Sequence, residues 1–399
     1  MLKIYNGSGK GVVTDMQSIM DNRTSSKEKV ERRYDIDWIR IFGMTTIFLY
    51  HCGRFFNLEY WHVKNNVLSP GSSIILDVLE IWMMPLFFMI SAMSSYYSLT
   101  KRAPKQYILE RFKRLIIPLI FGTFVIIVPV QVYIERASHG QFSGSFIDFY
   151  PHYFDGLYAL GGNFAWMGLH LWYLEFLFIF SMITLPLFML VIKQKSSHIA
   201  SSTFSVLTKP GAIFLLAIPL ILVEMFVGQY RDNIIGLQDF GGWSLLTYLV
   251  FFITGFILSL DPKFKDTIEK QRISALLIAV GITLLRIVSY LYDFESVVKY
   301  QDILTATASW CWLLAIFGFG SRYLTSSNTI LKYANEAVLP FYILHQTVIV
   351  IFGFWIRDWG LGVATKYIVL SSMSFLTIIL AYEFLIRRNK IMRFLFGMK

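Results

Sequence analysis

The chain has 399 residues, of which 55% are hydrophobic and only 16% charged, and its formal net charge is +10. A soluble domain would carry about 25% charged residues, so this composition excludes an ordinary soluble protein. The basic excess could suggest nucleic-acid binding, but the Lys and Arg residues cluster in alternate loops between apolar runs, which is typical of membrane topology and argues against a nucleic-acid partner. The only cysteines, Cys52 and Cys311, show no metal-type spacing, and we expect no bound metal or cofactor.

The first predicted element is a polar segment over residues 1–33, which ends in the basic stretch 27–33. It contains no apolar core of the kind found in a signal peptide. We interpret it as a flexible cytoplasmic tail that precedes a transmembrane domain over residues 34–399.

Ten apolar runs follow, each long enough to cross a hydrocarbon core roughly 30 Å thick. Their predicted ranges are 38–57, 74–99, 115–134, 166–192, 212–230, 243–260, 273–292, 302–320, 336–356 and 363–386. An even number places both termini on one side, and the basic residues concentrate in the segments that then face the cytoplasm. The sequence predicts an all-α polytopic protein of the plasma (inner) membrane, a bundle of about ten helices embedded in the lipid bilayer, with both termini cytoplasmic.

The first span carries ionisable side chains, which are costly inside a membrane and usually functional. Arg40 and His51 are eleven residues apart, which returns a helix to within about 20° of the same face over a rise of roughly 16 Å. Asp37 and Met44 fall near the same stripe. Arg40 at the inner mouth would suit an anionic ligand, and His51 near the midplane would suit proton transfer. The alternative is a snorkelling anchor and a satisfied helix–helix hydrogen bond.

The second span and the loop after it contain further candidates. Asp77 and Glu80 are one turn apart and share a helix face, and Pro85 predicts a kink. Arg111 and Arg114 lie in a basic stretch that could hold a phosphorylated donor from the cytosol. The structural alternative for the arginines is a topology anchor, and for the acidic pair the sequence favours neither a structural nor a functional interpretation.

The longest outer loop, about 135–165, is rich in Gly, Ser and aromatic residues. Its ionisable side chains are His139, Asp148, His152 and Asp155. Such a loop could bind a sugar or could simply cap the helix bundle, and the sequence leaves both open.

Spans four and nine supply the remaining candidates. His170, Trp172 and Glu175 lie at the start of span four, where a buried glutamate could orient a histidine of another span. Tyr342 and His345 are one turn apart inside span nine. An interfacial polar belt and ordinary packing are the structural alternatives for these residues.

Five of these segments, taken in chain order, resemble the acyltransferase-3 family of membrane O-acyltransferases. They are Arg40…His51, the stretch 85–91 (PLFFMIS), Arg111…Arg114…Pro118, the stretch 170–174 (HLWYL) and the stretch 342–345 (YILH). The C-terminal ending is similar to that of the glucan-biosynthesis branch of the family. Two departures are Ala92, where the family usually has Gly, and the placement of Lys113 in the basic segment.

The resemblance implies an enzyme that moves an acetyl, succinyl or similar group from cytosolic acyl-CoA to a hydroxyl of an extracytoplasmic carbohydrate or glycolipid. His51 would act as general base or carry the acyl group transiently, and Arg40, Arg111 and Arg114 would hold the donor. Glu175 and His345 would shape the cavity or orient His51. Further donor or substrate contacts are expected at His170, Trp172, Asp37, Glu80 and Tyr342.

Two other functions fit the same residues. A transporter or flippase for a polar or acylated solute would also need charges inside spans and a polar cavity. A non-catalytic scaffold would tolerate substitution of Arg40 and His51. The five ordered motifs favour the enzyme.

Overall fold

The protein is described by a computed structural model over residues 32–194, 198–227, 241–294, 297 and 299–398. Apart from Arg32 and Arg33, the predicted tail 1–33 lies outside the described residues, as does the end of predicted span five. Within the described ranges the regular structure is helical, with one isolated β-bridge between Leu157 and Phe164.

The α-helices of the described ranges are, in chain order, α1 (Tyr34–Arg54), α2 (Pro70–Glu80), α3 (Met83–Leu99), α4 (Pro104–Arg111), α5 (Ile117–Phe124), α6 (Ile127–Ser138), α7 (Phe146–Phe149), α8 (Trp172–Ile183), α9 (Leu185–Gln194), α10 (His198–Leu207), α11 (Ile218–Val227), α12 (Leu245–Leu258), α13 (Lys263–Leu291), α14 (Gln301–Tyr323), α15 (Thr329–Ile356), α16 (Val363–Leu380) and α17 (Lys390–Leu395). Short 3₁₀ segments are Tyr150–Phe154, Tyr158–Leu160, Leu169–Leu171 and Ala212–Ala217, and π-helical turns are Phe112–Ile116 and Ala381–Ile386.

Six of the described helical segments are long and apolar enough to cross a membrane. They are Pro70–Leu99, Pro104–Ser138, Lys263–Leu291, Gln301–Tyr323, Thr329–Ile356 and Val363–Ile386. The pair Leu169–Ile183 and Leu185–Gln194, bent by 50°, would make a seventh. Helical structure is also present in the other three predicted spans, but α1 does not meet this test and the apolar helices Ala212–Val227 and Leu245–Leu258 are short. The all-helical membrane fold is confirmed, whereas ten crossings and the side of each terminus stay predictions.

Helix α1 occupies the centre of the packing, in contact with α3, α14, α15 and α16. It approaches its neighbours closely at two glycines. A Cβ built on Gly43 would lie 3.0 Å from the Phe87 ring, and one on Gly53 would lie 2.8 Å from Leu76. This central position explains how a helix with Asp35, Asp37, Arg40 and Arg54 fits an apolar bundle, because its polar side chains face protein rather than lipid.

Two prolines shape the helices around the candidate site. A proline cannot donate to the carbonyl four residues earlier and its ring clashes with that carbonyl. The helix predicted to kink at Pro85 is interrupted at Ile81–Trp82, and the π-helical turn Phe112–Ile116 contains Arg114, four residues before Pro118. One boundary was wrong, because α6 continues to Ser138 and the outer loop begins after it rather than at 135.

Candidate functional site

A cavity of about 460 Å³ opens at the end of the bundle where α1 begins. We call it the basic cavity, because five basic side chains and one acidic side chain line it. The basic ones are Arg40, Lys101, Arg102, Arg111 and Arg114, and the acidic one is Glu110. An excess of cations in a confined space favours an anionic ligand.

Short polar contacts hold Arg40 and Arg111 in the basic cavity. Arg40 pairs with Asp37 at 3.1 Å and donates to the Ser94 hydroxyl at 3.1 Å. Arg111 donates to the Ser95 hydroxyl at 2.6 Å. Arg114 has no hydrogen-bond partner within the described ranges, so its guanidinium is available to a ligand.

The wall of the basic cavity changes along its depth. Serine hydroxyls from α3 follow the arginines, and the far end is formed by Met44 and Ile47 of α1, Met84 and Phe87 of α3, and Tyr342 of α15. His51 lies one helical turn beyond Ile47, and His345 lies one turn beyond Tyr342. The basic cavity therefore points from the arginines towards these two histidines.

His51, His170 and His345 form a compact group, which we call the histidine cluster. The His51 and His345 rings are stacked, with centroids 4.9 Å apart and planes 14° apart, and His170 meets His345 edge-on at 5.2 Å. His345 Nδ1 donates to the Tyr342 carbonyl at 2.5 Å. Among the described residues, His51 Nδ1 and His345 Nε2 are buried without a hydrogen-bond partner. A buried polar nitrogen without a partner is costly, which points to a ligand or substrate group.

Tyr342 links the basic cavity to the histidine cluster. It lines the cavity, and its hydroxyl donates to the His170 carbonyl. Its ring lies 5.9 Å from that of Tyr173, whose hydroxyl is 2.7 Å from the Ser91 hydroxyl. The structure thus brings seven sequence-predicted residues into one continuous region: Asp37, Arg40, Arg111, Arg114, Tyr342, His51 and His345, with His170 beside them.

Three other predicted residues lie elsewhere. Glu80 accepts a hydrogen bond from Tyr50 and borders a second cavity of about 550 Å³ that includes Asp77 and Arg286. Trp172 packs on Tyr248 and Phe88 rather than lining the basic cavity.

Glu175 is the third of these predicted residues, and it does not line the basic cavity. Its Oε2 atom is buried without a partner in the described part of the chain, and no hydrogen bond joins it to His51. The α8 side chains that line the basic cavity are Tyr173, Leu174 and Leu177. The catalytic role of Glu175 therefore stays a prediction, and no hydrogen bond to the histidine cluster supports it within the described ranges.

Sequence reasoning missed four polar residues next to the histidine cluster: His62, Gln131, Glu135 and Gln346. Gln346 donates to Gln131 Oε1 at 2.9 Å and to His62 Nε2 at 3.0 Å, and His62 Nδ1 donates to Glu135. One signal was available in the sequence: Gln131 and Glu135 are polar residues one helical turn apart at the end of an apolar run. Its partners are remote in sequence, so no periodicity identifies them.

The loop after α6 and the loop between α1 and α2 both contact Glu135, at the end of α6. Tyr60 and Tyr158 both donate to Glu135, and Arg136 donates to Asn163 at 2.9 Å. Burial and the Glu135 carboxylate raise the pKa of Tyr60 to about 12, so its phenol keeps its proton to a higher pH than an ordinary tyrosine does. These contacts form a cap on the bundle, whereas the His152–Asp155 pair of the same loop, 2.9 Å apart, is exposed.

Comparison with known proteins adds a family to this geometry. The acyltransferase domain of the acyltransferase-3 family matches residues 33–383. The glucans biosynthesis protein C of Salmonella schwarzengrund (strain CVM19633) is 22% identical over 331 residues, covering 82% of this chain and 84% of that protein. The protein of the same name from Escherichia coli (strain SMS-3-5 / SECEC) is 23% identical over 333 residues, with the same coverage. No solved structure matches this chain.

Proposed function

Because this chain belongs to the acyltransferase-3 family, we propose that it moves an acyl group from acyl-CoA to a hydroxyl of a carbohydrate or glycolipid. That it is a membrane acyltransferase, acting on groups other than aminoacyl groups, follows from the family and from its apolar helices. The finer proposal rests on one observation, a cation-rich cavity that leads to a group of buried histidines.

The basic cavity supports an anionic donor with a long uncharged arm. Guanidinium groups bind phosphate through charge-assisted hydrogen bonds, so Arg40, Arg111 and Arg114 would hold the phosphates of acyl-CoA. The arm would pass the serine hydroxyls of α3, and the thioester would reach the end formed by Ile47 and Tyr342. This order matches the change from charged to apolar wall along the cavity.

His51 is the proposed general base. It would take the proton of the acceptor hydroxyl while the oxygen attacks the thioester carbonyl, the new ester bond forms, and the C–S bond breaks. The proton then passes to the departing thiolate, which leaves as the free CoA thiol. The partnerless His51 Nδ1 supports this role, since a base needs an open lone pair within reach of its substrate. His345, stacked on His51, would restrict its orientation.

The acceptor would enter from the other end of α1. Acyl-CoA is cytosolic, so the basic cavity would face the cytoplasm in the plasma (inner) membrane, in agreement with the predicted cytoplasmic termini. The two relatives are named for glucan biosynthesis, and a glucan is therefore the first acceptor to test, with acetyl and succinyl as the first acyl groups.

The experiment uses the purified full chain in lipid nanodiscs with acetyl-CoA or succinyl-CoA and a linear glucan. Release of CoA thiol and mass increase of the glucan are measured together. We expect transfer by the wild type and by His152→Ala, a control histidine in the exposed loop, and none by His51→Ala. Full transfer by His51→Ala would refute the base, and glucan translocation without CoA release would favour a transporter.

A further inference from the structure

A set of buried hydrogen bonds connects the histidine cluster to the end of α6. We call it the Glu135 network and define it as Glu135, His62, Gln346, Gln131 and His170. His62 Nδ1 donates to Glu135, Gln346 Nε2 lies 3.0 Å from His62 Nε2 and 2.9 Å from Gln131 Oε1, and Gln131 Nε2 lies 3.3 Å from His170 Nδ1. All five side chains are buried.

The donor and acceptor inventory gives this network one direction. The ionised Glu135 only accepts, so His62 carries a proton on Nδ1, and the neutral ring then has its lone pair at Nε2. That lone pair accepts from the amide NH₂ of Gln346, whose second hydrogen goes to the Gln131 carbonyl oxygen. If either amide were rotated by 180°, its NH₂ group would meet another donor or its oxygen would meet another lone pair. Gln131 Nε2 also donates to the Ile127 carbonyl at 3.2 Å and to the Thr347 hydroxyl at 2.7 Å, and these contacts favour the same orientation of Gln131 as the carboxylate does through His62 and Gln346.

The hydrogen bonds continue with the same donor-to-acceptor order from Gln131 to His170 of the histidine cluster. The NH₂ of Gln131 donates to His170 Nδ1, which must then be unprotonated, and His170 Nε2 donates to the Ile343 carbonyl at 3.1 Å. His170 in turn contacts the His345 ring edge-on and accepts from Tyr342 at its own carbonyl. The Ile343 carbonyl, which only accepts, requires the proton on His170 Nε2, and the Gln131 amide supports the same tautomer from the other ring nitrogen.

We propose that Glu135 and His62 are positioning residues for acyl transfer: Glu135 fixes the tautomer of His62, and the hydrogen bonds that follow through Gln346 and Gln131 hold His170 against the His345–His51 stack at the end of the basic cavity. The proposal rests on the function proposed above. Neither residue contacts the basic cavity, so their loss acts on the reacting histidines rather than on the donor. Tyr60 and Tyr158 hydroxyls also donate to Glu135 and help to keep its buried charge satisfied.

The test compares Glu135→Gln with Tyr133→Phe. The glutamine has the same shape but can donate as well as accept, so it removes the fixed direction while preserving packing. Tyr133 is on the same helix, and its hydroxyl donates to the Gly144 carbonyl at 2.9 Å, outside the network. For each variant we measure kcat, the KM for acetyl-CoA, and the tautomers of ¹⁵N-labelled histidines in nanodiscs.

For Glu135→Gln we expect kcat to fall about tenfold or more, because loss of a group that orients a functional histidine typically costs that much activity. The KM for acetyl-CoA should stay unchanged. The His62 nitrogen signals should show a mixture of tautomers, because the glutamine amide can either accept from His62 Nδ1 or donate to it. Tyr133→Phe should match the wild type in all three measurements. Wild-type kcat, or a single unchanged His62 tautomer, in Glu135→Gln would overturn the proposal.

A second variant covers loss of folding. If Glu135→Gln fails to bind acetyl-CoA, Glu135→Asp replaces it, because aspartate keeps an acceptor-only carboxylate. Glu135→Asp should retain the wild-type His62 tautomer, and a mixture at His62 would count against the proposal. Failure of the proposed function is distinct, since the wild type would then transfer no acyl group at all while its histidine tautomers could still be measured.

Discussion

The basic cavity and the histidine cluster are adjacent but differ in almost every physical respect. The cavity is open, its wall carries four more cations than carboxylates, and Arg114 has no hydrogen-bond partner within the described ranges. The cluster is buried, carries neither carboxylate nor guanidinium, and places two ring nitrogens without partners between well-bonded neighbours. The first region is suited to bind charge, and the second to move a proton.

This difference predicts separable effects on catalysis. Substitutions in the basic cavity should change donor affinity, because its cations act on the phosphates in the ground state and the transition state alike. Substitutions in the histidine cluster should change kcat, because proton transfer occurs only in the transition state. If substitutions in each region changed kcat and the KM for the donor together, the two regions would not have separate roles.

The largest effect is expected for His51→Ala. Loss of a general base typically costs 10²- to 10⁴-fold in rate, so kcat should fall by about that much while the KM for acetyl-CoA stays within roughly twofold. Steady-state assays of CoA release check both values. His152→Ala, an exposed loop histidine, is the matched control and should retain the wild-type rate.

The next effect concerns the arginines of the basic cavity. Each charge-assisted hydrogen bond contributes about 1.5–3 kcal/mol, so Arg111→Ala with Arg114→Ala should raise the KM for acetyl-CoA by about 100-fold or more with little change in kcat. The wild-type KM should also rise with salt, and that dependence should weaken in the variant. Arg322→Ala, which breaks an exposed pair with Glu269, serves as the control. An unchanged KM would show that the donor binds elsewhere.

A smaller effect is expected for Tyr342→Phe at the boundary between the two regions. The change removes the hydroxyl that donates to the His170 carbonyl. A neutral hydrogen bond is worth about 1 kcal/mol, which predicts a drop in kcat of roughly fivefold. Parallel kinetics on Phe341→Leu, a purely apolar neighbour, separate loss of the hydrogen bond from disturbed packing. A larger rise in KM than fall in kcat would place Tyr342 with the basic cavity instead.

The smallest effect is on stability, in the loop between α1 and α2. Burial and the nearby Arg54 lower the pKa of Lys64 to about 7 from its ordinary value of 10.5. Between about pH 7 and 10.5 the unfolded chain binds a proton that the folded chain does not, so this group makes stability rise with pH across that window. The apparent Tm of the wild type should therefore rise from pH 7 to 9 relative to Lys64→Met. A constant difference in Tm would contradict the shift.

Much of the fold could be predicted from sequence because apolar runs of sufficient length have few structural solutions in a membrane. Helical structure lies in each predicted span. The one-face relation of Arg40 and His51 follows from helical geometry, and the structure aligns Arg40, Met44 and Ile47 along the cavity that leads to His51.

The rest depends on partners distant in sequence. His62 meets Gln346, 284 positions away, and Gln131 meets Gln346 at a separation of 215. Helical periodicity gives the face of one helix but not the neighbour that face meets. Glu175 illustrates the converse, because its position in a span suggested chemistry and the structure gives it no contact with His51.

The most direct test of separate donor and proton-transfer regions is calorimetric binding of acetyl-CoA to three purified proteins, the wild type, His51→Ala, and Arg111→Ala with Arg114→Ala. We predict that His51→Ala binds with the wild-type Kd although it does not transfer, and that the double arginine variant loses about 100-fold in affinity. Wild-type affinity in the arginine variant together with lost binding in His51→Ala would contradict the account.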